Sequence, residues 1–307
     1  MDTSTKNYLK IALAGVFWGT LGLFGKTLES YGLSPEMISF ARLSSGFMIL
    51  VLFFMFKKPS VLKIDARGLF ECAIIGVISQ GFFNLAYFSS IRLVGAFTAV
   101  VLLYFSIVIM FVFGTVFYKE KPSRKKVVAV IICLIGSILG ATGGDLSSLQ
   151  ANTLGIIMGI LASLAYSLMP AISKKTAAKY DPFTIIVYSF LFGALFLVPF
   201  AKPWIRLAEP KEISVYLVIL LFGLIASTIP YGLYIPSLHN IQISRLGVIT
   251  SVELVVSILI AAFILKEEAG FGKFFGAVLI MLSILVMNTN IDYKAFLAKR
   301  GRSQKRG

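Results

Sequence analysis

The amino-acid sequence predicts an all-α integral membrane protein whose ten transmembrane helices form two inverted-topology five-helix repeats. Three observations support this fold class. Of the 307 residues, 58% are hydrophobic and 14% are charged, whereas about a quarter of a soluble domain is charged. Ten apolar runs are long enough to cross a bilayer, and the second half of the sequence repeats several residues of the first. These observations exclude a soluble globular protein.

The apolar runs, separated by short polar or charged segments, give the positions of the helices. About 20 apolar residues span ~30 Å of hydrocarbon, so a chain of this length holds about ten crossings and no extramembrane domain. The first run begins near Asn7 and is too long for a signal peptide, so we expect it to remain as the first helix. The predicted helices cover residues 7–27, 35–56, 68–90, 94–118, 125–142, 153–173, 182–201, 213–236, 244–265 and 271–289.

The positive charges predict how the chain is oriented. Most of the 29 Lys and Arg residues lie in the loops and termini on the side of the N-terminus, which places both termini in the cytoplasm of a multi-pass cell-membrane protein. The net charge of +15 therefore indicates an anionic lipid leaflet as the partner of the basic tail, residues 291–307, and not nucleic acid. Cys72 and Cys133 lie inside apolar runs, so we expect no disulfide framework, no metal site and no cofactor.

The second half of the chain repeats the first. Pro35 falls on Pro182 at an offset of 147 residues, without any gap. The same offset pairs Gly46 with Gly193, Gly76 with Gly223, Tyr87 with Tyr234, Ser90 with Ser237, and Lys119-Glu120 with Lys266-Glu267. We place the repeats at residues 1–145 and 146–290. Each contains five helices, an odd number, so the second enters the membrane upside down, as in secondary transporters whose solute site lies where the halves meet.

The chain also resembles a known family. Trp18-Gly19 in the first helix, Arg42 in the second, and Lys-Glu closing the fourth and ninth are similar to the drug/metabolite transporter superfamily, in its EamA branch. The resemblance covers nearly the whole chain, and it implies a transporter, often an exporter, of small metabolites, amino acids or amphipathic drugs. Members commonly carry Glu at the position of Glu253.

The chain departs from this branch at two kinds of position. The branch often has Gly-Glu where this chain has Lys-Glu, and often a proline where this chain has Ile107 and Leu254. The lack of proline argues against a helix break in the fourth and ninth helices.

Glu253 is the only acidic residue deep in a predicted helix. A charge at the centre of the bilayer costs about 2.5 to 3.5 kcal/mol on insertion scales, so Glu253 must face the protein interior, be paired, or be protonated. Removing a carboxyl group from water favours its protonated form. Glu253 could therefore carry a coupling proton or bind a cationic amine; the alternative is a neutral acid that hydrogen-bonds a neighbouring helix. Its repeat mate is Ser106.

Polar residues in the third and eighth helices predict the walls of a solute cavity. Gln80, Asn84 and Tyr87 follow the spacing i, i+4, i+7 and share one helix face, and their repeat mates are Ser227, Tyr231 and Tyr234. Amides can orient a solute and aromatic rings can hold a planar or amine-bearing one. Interhelical hydrogen bonding is the alternative for each residue.

Four further residues are candidates for contact with the solute. Trp18 lies near the middle of the first helix, where it either stacks on solute or packs in the core. Tyr104 and Tyr166 are weaker candidates for the same cavity. Arg42 either binds an anionic group or gates the outer mouth, or it is an anchor that caps carbonyls or pairs with a nearby glutamate.

Stripes of small residues in the first and sixth helices predict close helix packing. The members are Gly15, Gly19 and Gly22, and Gly155, Gly159, Ser163 and Ser167.

These features favour a secondary transporter of small metabolites such as amino acids, amines or amphipathic drugs, working by alternating access with Glu253 as the proton carrier. An uncoupled facilitator is the alternative within transport. An integral membrane enzyme is disfavoured, since every aspartate lies in a loop or terminus and the single histidine, His239, has no second His or Cys nearby for a metal. A homodimer is allowed by the sequence but has no support in it.

Overall fold

The structure, a computed structural model, describes residues 3–148, 152–206, 212–266 and 270–288. Within these ranges the chain is helical and holds ten long apolar helices, nine that meet the length and hydropathy of a membrane span and a shorter tenth. This confirms the predicted fold class. The helices are α1 (Thr5–Ser30), α2 (Pro35–Lys57), α3 (Ala66–Gly95), α4 (Thr98–Val116), α5 (Arg124–Thr142), α6 (Thr153–Thr176), α7 (Pro182–Ala201), α8 (Ile213–Ser237), α9 (Ile243–Phe263) and α10 (Phe271–Asn288).

Helices α2 and α7 begin at the repeated prolines. Pro35 and Pro182 each occupy the first turn, where the missing N–H leaves no hydrogen bond unmade. Ser34 and Asp181 precede them and accept backbone N–H groups of the first turn through their side chains. The chain therefore enters both helices in the same way, as the repeat predicts.

The boundary between α3 and α4 differs from the prediction. The sequence predicts that the third helix ends at residue 90 and that the fourth begins at residue 94, whereas α3 continues to Gly95 and α4 begins at Thr98. Gly95 has φ 76° and ψ 161°, a conformation open mainly to glycine. The helix therefore ends at this glycine and not at the polar residues before it.

Both repeats contain a wide helical turn at the same place. In α3 the segment Ile75–Phe82 is π-helical, and in α8 the segment Leu224–Thr228 is π-helical. The offset of 147 maps the second segment inside the first. Such turns are rare and are frequent at functional sites.

Helices α4 and α9 are both interrupted in mid-span, although neither has a proline there. The interruption in α4 lies at Phe105 and that in α9 at Ser251. Phe105 and Ser251 both keep right-handed helical φ and ψ, so each helix continues across its interruption as one span. In α4, Ser163 of α6 also donates to the carbonyls of Leu102 and Leu103, next to the N–H of Phe105 that reaches Leu102 within the helix.

The last turns of α4 and α9 also match. Lys119 and its mate Lys266 both have positive φ, 52° and 54°, which is uncommon for a residue with a Cβ atom. Just before them, the N–H of Tyr118 reaches the carbonyl of Phe113 and that of Leu265 reaches the carbonyl of Ile260. The two repeats therefore share the backbone of their fourth helix from the interruption to the end.

Most of the predicted small-residue contacts are present. A Cβ atom at Gly15 or Gly19 would meet α9 at 2.5 Å, and one at Gly155 or Gly159 would meet α3 or α4 at 2.6 Å. Gly22 is the exception, since no atom of the described residues would lie within 4 Å of its Cβ. Helix α1 therefore packs tightly on α9 at Gly15 and Gly19, close to the interruption of α9 at Ser251. It packs loosely at Gly22.

Candidate functional site

The interruptions in α4 and α9 meet at Glu253. This residue lies two positions after Ser251, and the hydroxyl of Tyr104, the last residue before the α4 interruption, lies near its carboxyl. The backbone of Glu253 packs on Gly15 and Gly19 of α1. Its position fits the expectation that an acid at this depth faces the protein and not lipid.

Five tyrosines from four helices surround this carboxyl. Each is close enough for the charge of a Glu253 carboxylate to act on its hydroxyl. They are Tyr87 of α3, Tyr104 of α4, Tyr166 of α6, and Tyr231 and Tyr234 of α8. We call these five residues and Glu253 the tyrosine chamber.

The tyrosine chamber is not packed solid. Glu253, Tyr87 and Tyr166 are only half-buried although they lie in the interior of the helix bundle, whereas Tyr104, Tyr231 and Tyr234 are buried. Phe83 stacks on the Tyr87 ring at 5.9 Å between centroids and lies 5.5 Å from that of Tyr166. The half-buried group therefore offers an aromatic surface with one acid beside it.

Arg42 of α2 lies next to this chamber and does not extend to the surface. It is 6% exposed, and its guanidinium lies near the hydroxyl of Tyr231. The expected glutamate partners are not used, since Glu36 pairs with Arg92, and none of the salt bridges found in the described ranges includes Arg42.

The three polar residues of α3 differ in their hydrogen-bond partners and in their exposure. The Gln80 amide donates to the Tyr231 hydroxyl at 2.7 Å. Asn84 accepts from Ser39 of α2 at 3.1 Å and donates to the Gln80 carbonyl. Both ends of the Asn84 amide are thus occupied by protein, which favours the interhelical alternative for this residue. Tyr87 is the member of the stripe that retains exposed surface beside Glu253.

Trp18 forms part of the wall behind the tyrosines. It is 5% exposed and meets the rings of Tyr231 and Tyr234 edge-on, with centroids 5.3 and 5.1 Å apart. It is also the last residue of the first segment of α1, before a turn at Gly19 and Thr20. These contacts favour core packing over stacking on solute.

Sequence reasoning missed two of three hydroxyl groups in the π-helical segments. Among the described residues, Ser79 of α3 and Ser227 and Thr228 of α8 have buried side-chain oxygens without a hydrogen-bond partner. Ser227, which precedes Tyr231 by one turn, was predicted as the repeat mate of Gln80. Ser79 and Thr228 were missed, although they adjoin Gln80 and Ser227 in the sequence.

Sequence reasoning also missed the role of Glu120. This residue follows α4, and its carboxylate accepts the N–H groups of Ile243 at 2.7 Å and Ser244 at 3.1 Å, together with the Ser244 hydroxyl. Lys126 of α5 lies 3.9 Å away and donates to the same hydroxyl at 3.0 Å. The side chains of Glu120 and Lys126 are 7% and 6% exposed. The acid therefore caps the start of α9, and this cluster joins the two halves at one end of the bundle.

The chain is similar to a family of membrane proteins along its whole length. The model of the EamA-like transporter family matches residues 5–142 and 153–289. The uncharacterized inner membrane transporter YicL of Salmonella typhimurium is 24% identical over 302 residues, which cover 96% of this chain and 99% of that protein. An uncharacterized transporter of Archaeoglobus fulgidus is 25% identical over 288 residues, which cover 92% and 98%.

A solved crystal structure has the same fold. It matches with a TM-score of 0.75 over 96% of this chain and 98% of its own, at 16% identity. At 16% identity, the match is evidence for the fold alone.

Proposed function

Because the chain belongs to the EamA-like transporter family, we propose that it is a proton-coupled secondary transporter that exports small metabolites such as amino acids, amines or amphipathic drugs by alternating access. The family and the transporters it is similar to indicate a multi-pass membrane transporter of a small-molecule solute, and not an enzyme. The solute class, the direction and the coupling are the parts we propose.

The observation that carries the proposal is the Glu253 carboxyl among the tyrosines. The neutral Tyr104 hydroxyl lies near it, and none of the salt bridges in the part of the chain that the structure describes includes it. An acid in such a place is costly to ionise unless a cation pairs with it, and without a cation it holds its proton. Glu253 would carry a proton when the chamber is empty and exchange it when solute enters.

The inverted repeat supports alternating access. In such proteins one half rocks against the other around a site near the bilayer midplane, and the tyrosine chamber draws residues from α3 and α4 of one half and from α6, α8 and α9 of the other. The cluster of Glu120, Lys126 and Ser244 would hold one end closed and separate when that end opens. Release of these contacts would also free the first turn of α9.

We propose that this closed end faces the cytoplasm. The excess of Lys and Arg on the side of the N-terminus supports cytoplasmic termini in the cell membrane. The basic tail, residues 291–307, would bind anionic lipid there; it lies outside the described residues. The repeat limits 1–145 and 146–290 remain our proposal, and a homodimer gains no support.

Proteoliposomes test the coupling. Vesicles loaded with a pH-sensitive dye would be given L-amino acids, alkylamines and aromatic amines in turn, and solute-dependent proton movement would be recorded. We expect a response with the wild-type chain and none with Glu253→Gln, whereas Ser106→Ala, at the repeat mate, keeps it.

Solute uptake with no proton movement in wild-type vesicles would instead show an uncoupled facilitator. Proton movement that persists in Glu253→Gln would exclude Glu253 as the carrier.

A further inference from the structure

The segment that follows α4 contacts two helices of the second half of the chain. Its residue Glu120 caps α9, and two positions earlier the hydroxyl of Tyr118 donates to the carbonyl of Ala171 in α6 at 2.6 Å. The ammonium group of Lys174, three residues further along α6, lies 5.5 Å from the centroid of the Tyr118 ring. A hydrogen bond and a cation–π contact therefore both hold the Tyr118 side chain on α6.

Lys174 also connects α6 to the start of α9. Its ammonium group donates to the carbonyl of Ile241, two residues before α9 begins at Ile243. Lys174 and Tyr118 are both half-buried, and a cation over an aromatic ring is attracted more strongly when water is kept away from it. One cation therefore joins the end of α4, the end of α6 and the start of α9.

The bundle is closed at the end where these three segments meet. In residues 243–251 of α9 all but Arg245 are buried, whereas in residues 252–263 only two are. Arg245 donates to the hydroxyl of Tyr8, near the start of α1, at 2.8 Å. The closed end is therefore the one at which α1 begins.

The repeat mates of Tyr118 and Lys174 cannot make the same contacts at the opposite end. The offset of 147 maps Tyr118 onto Leu265 and Lys174 onto Thr27. Leu265 has neither a ring nor a hydroxyl group, and the hydroxyl of Thr27 donates to the carbonyl of Leu23 within its own helix at 2.9 Å. The two ends therefore share their backbone but differ in these side chains.

This difference affects the balance between the two states of a transporter built on an inverted repeat. The state open at one end is related to the state open at the other by exchange of the conformations of the two repeats. A contact that both repeats can form is lost at one end and gained at the other. A contact that only one repeat can form is lost without replacement, so it favours the state in which it is present.

We propose that Tyr118 and Lys174 form a latch, present at one end of the bundle only, which makes the state closed at that end the resting state of the transporter. This inference rests on the alternating access proposed above and names how it is regulated. The latch acts before any solute binds, so solute must supply the free energy that separates Tyr118 from α6.

The size of the bias follows from the two contacts of Tyr118. A neutral hydrogen bond and a shielded cation–π contact each change an equilibrium constant by about 3- to 10-fold. Removing both should therefore shift the balance between the two states by about 10- to 100-fold.

Hydrogen exchange of the purified full chain in detergent, measured by mass spectrometry, tests the latch without solute or a pH gradient. The reporters are residues 245–249 of α9 and their repeat mates, residues 98–102 of α4. Tyr118→Leu gives this end the residue that the opposite end already has. We expect it to speed exchange in the α9 segment by about 10-fold and to slow exchange in the α4 segment by about twofold, because the opposite end is then closed more of the time.

Two milder variants separate the contacts. Tyr118→Phe keeps the ring beside Lys174 and loses only the hydroxyl, so we expect about a threefold change in the α9 segment. Lys174→Met removes the cation and leaves the hydrogen bond to Ala171, and it should act in the same direction. Tyr216→Leu is the matched control: Tyr216 is a tyrosine of α8 that is 43% exposed, and both reporter segments should exchange as in the wild type. The milder variants keep the test valid if Tyr118→Leu does not fold.

The reciprocal change is the result that supports a latch. Faster exchange in the α9 segment without slower exchange in the α4 segment would show that these contacts stabilise local structure only, and it would overturn the proposal. Unchanged exchange in every Tyr118 and Lys174 variant would overturn it as well. Because Glu253 and solute take no part in this measurement, a failure of proton coupling in proteoliposomes would leave the latch intact, and the two proposals can fail separately.

Discussion

The two repeats agree in backbone and differ in the side chains that face the tyrosine chamber. They share the π-helical segments, the interruptions at Phe105 and Ser251, and the positive φ of Lys119 and Lys266. The charged side chains are not shared, because Arg42 and Glu253 both have serine as their mate, although two of the chamber tyrosines, Tyr87 and Tyr234, are mates of each other. This difference suggests that the rocking motion we propose depends on a symmetric backbone, whereas the solute recognition we propose needs an asymmetric set of groups.

The two repeats also differ in the side-chain contacts at the start of α3 and α8. Asp65 accepts the Gly68 N–H at 2.9 Å and the Tyr180 hydroxyl at 2.7 Å, so it caps α3. Its repeat mate, Glu212, stands just before α8 and makes no cap to the backbone. An acid is present at both places, but only the aspartate is short enough to turn back onto its own helix.

The largest effect is expected where the two repeats approach most closely, between α5 and α10. A Cβ atom at Gly276 would lie 2.3 Å from the backbone nitrogen of Gly140, so Gly276→Leu must push the helices apart. We expect the free energy of unfolding to fall by about 3 kcal/mol or more, seen as a lower melting temperature in detergent. Gly22→Leu is the matched control, since nothing in the described part of the chain lies within 4 Å of a Cβ there; equal losses in the two variants would contradict the packing account.

A somewhat smaller loss is expected when the cap between the halves is removed. Glu120→Ala leaves the buried Lys126 without its acid and the first N–H groups of α9 without an acceptor, and breaking such a buried pair costs about 3 kcal/mol. Lys126→Met should cost less, because it leaves no unpaired cation and Glu120 keeps its three hydrogen bonds. Thermal unfolding in detergent measures both. A larger loss in Lys126→Met than in Glu120→Ala would show that the cap is not the main contribution.

The smallest effect on the melting temperature is expected at Asp65 and Glu212, the two acids that precede α3 and α8. Asp65→Ala should lower the melting temperature slightly, and Glu212→Ala should not, because only Asp65 caps its helix. Hydrogen bonds from Tyr180 and Gly68 hold the pKa of Asp65 below its ordinary value. Its contribution is therefore present above the unfolded-state pKa of about 4 and is lost as the pH falls through the lower folded value. A difference between Asp65→Ala and wild type that stays the same from pH 7 to pH 3 would argue against this.

The sequence predicted the features that depend on bilayer thickness and on repetition. Helix number follows from about 20 apolar residues per crossing, and the start of α2 and α7 follows from Pro35 and Pro182. The depth of Glu253 is likewise visible in the sequence, because its neighbours are apolar.

Features that depend on contacts between distant segments could not be predicted. At the interruption in α4, Ser163 of α6 donates to a carbonyl that a sequence window cannot connect to it. The proximity of Arg42 to Tyr231 and the Glu120 cap on α9 likewise involve residues far apart in the chain. The spacing of Gln80, Asn84 and Tyr87 predicted that they share one helix face, but it could not predict which residue each of them contacts.

The wide turns of α3 and α8 determine which way the residues beyond them face. A π-helical turn holds more residues than an α-helical turn, so it rotates everything beyond it relative to what came before. The two segments occupy matching places in the repeats. Deleting one residue from either segment would therefore turn Gln80 or Tyr231 away from its partner.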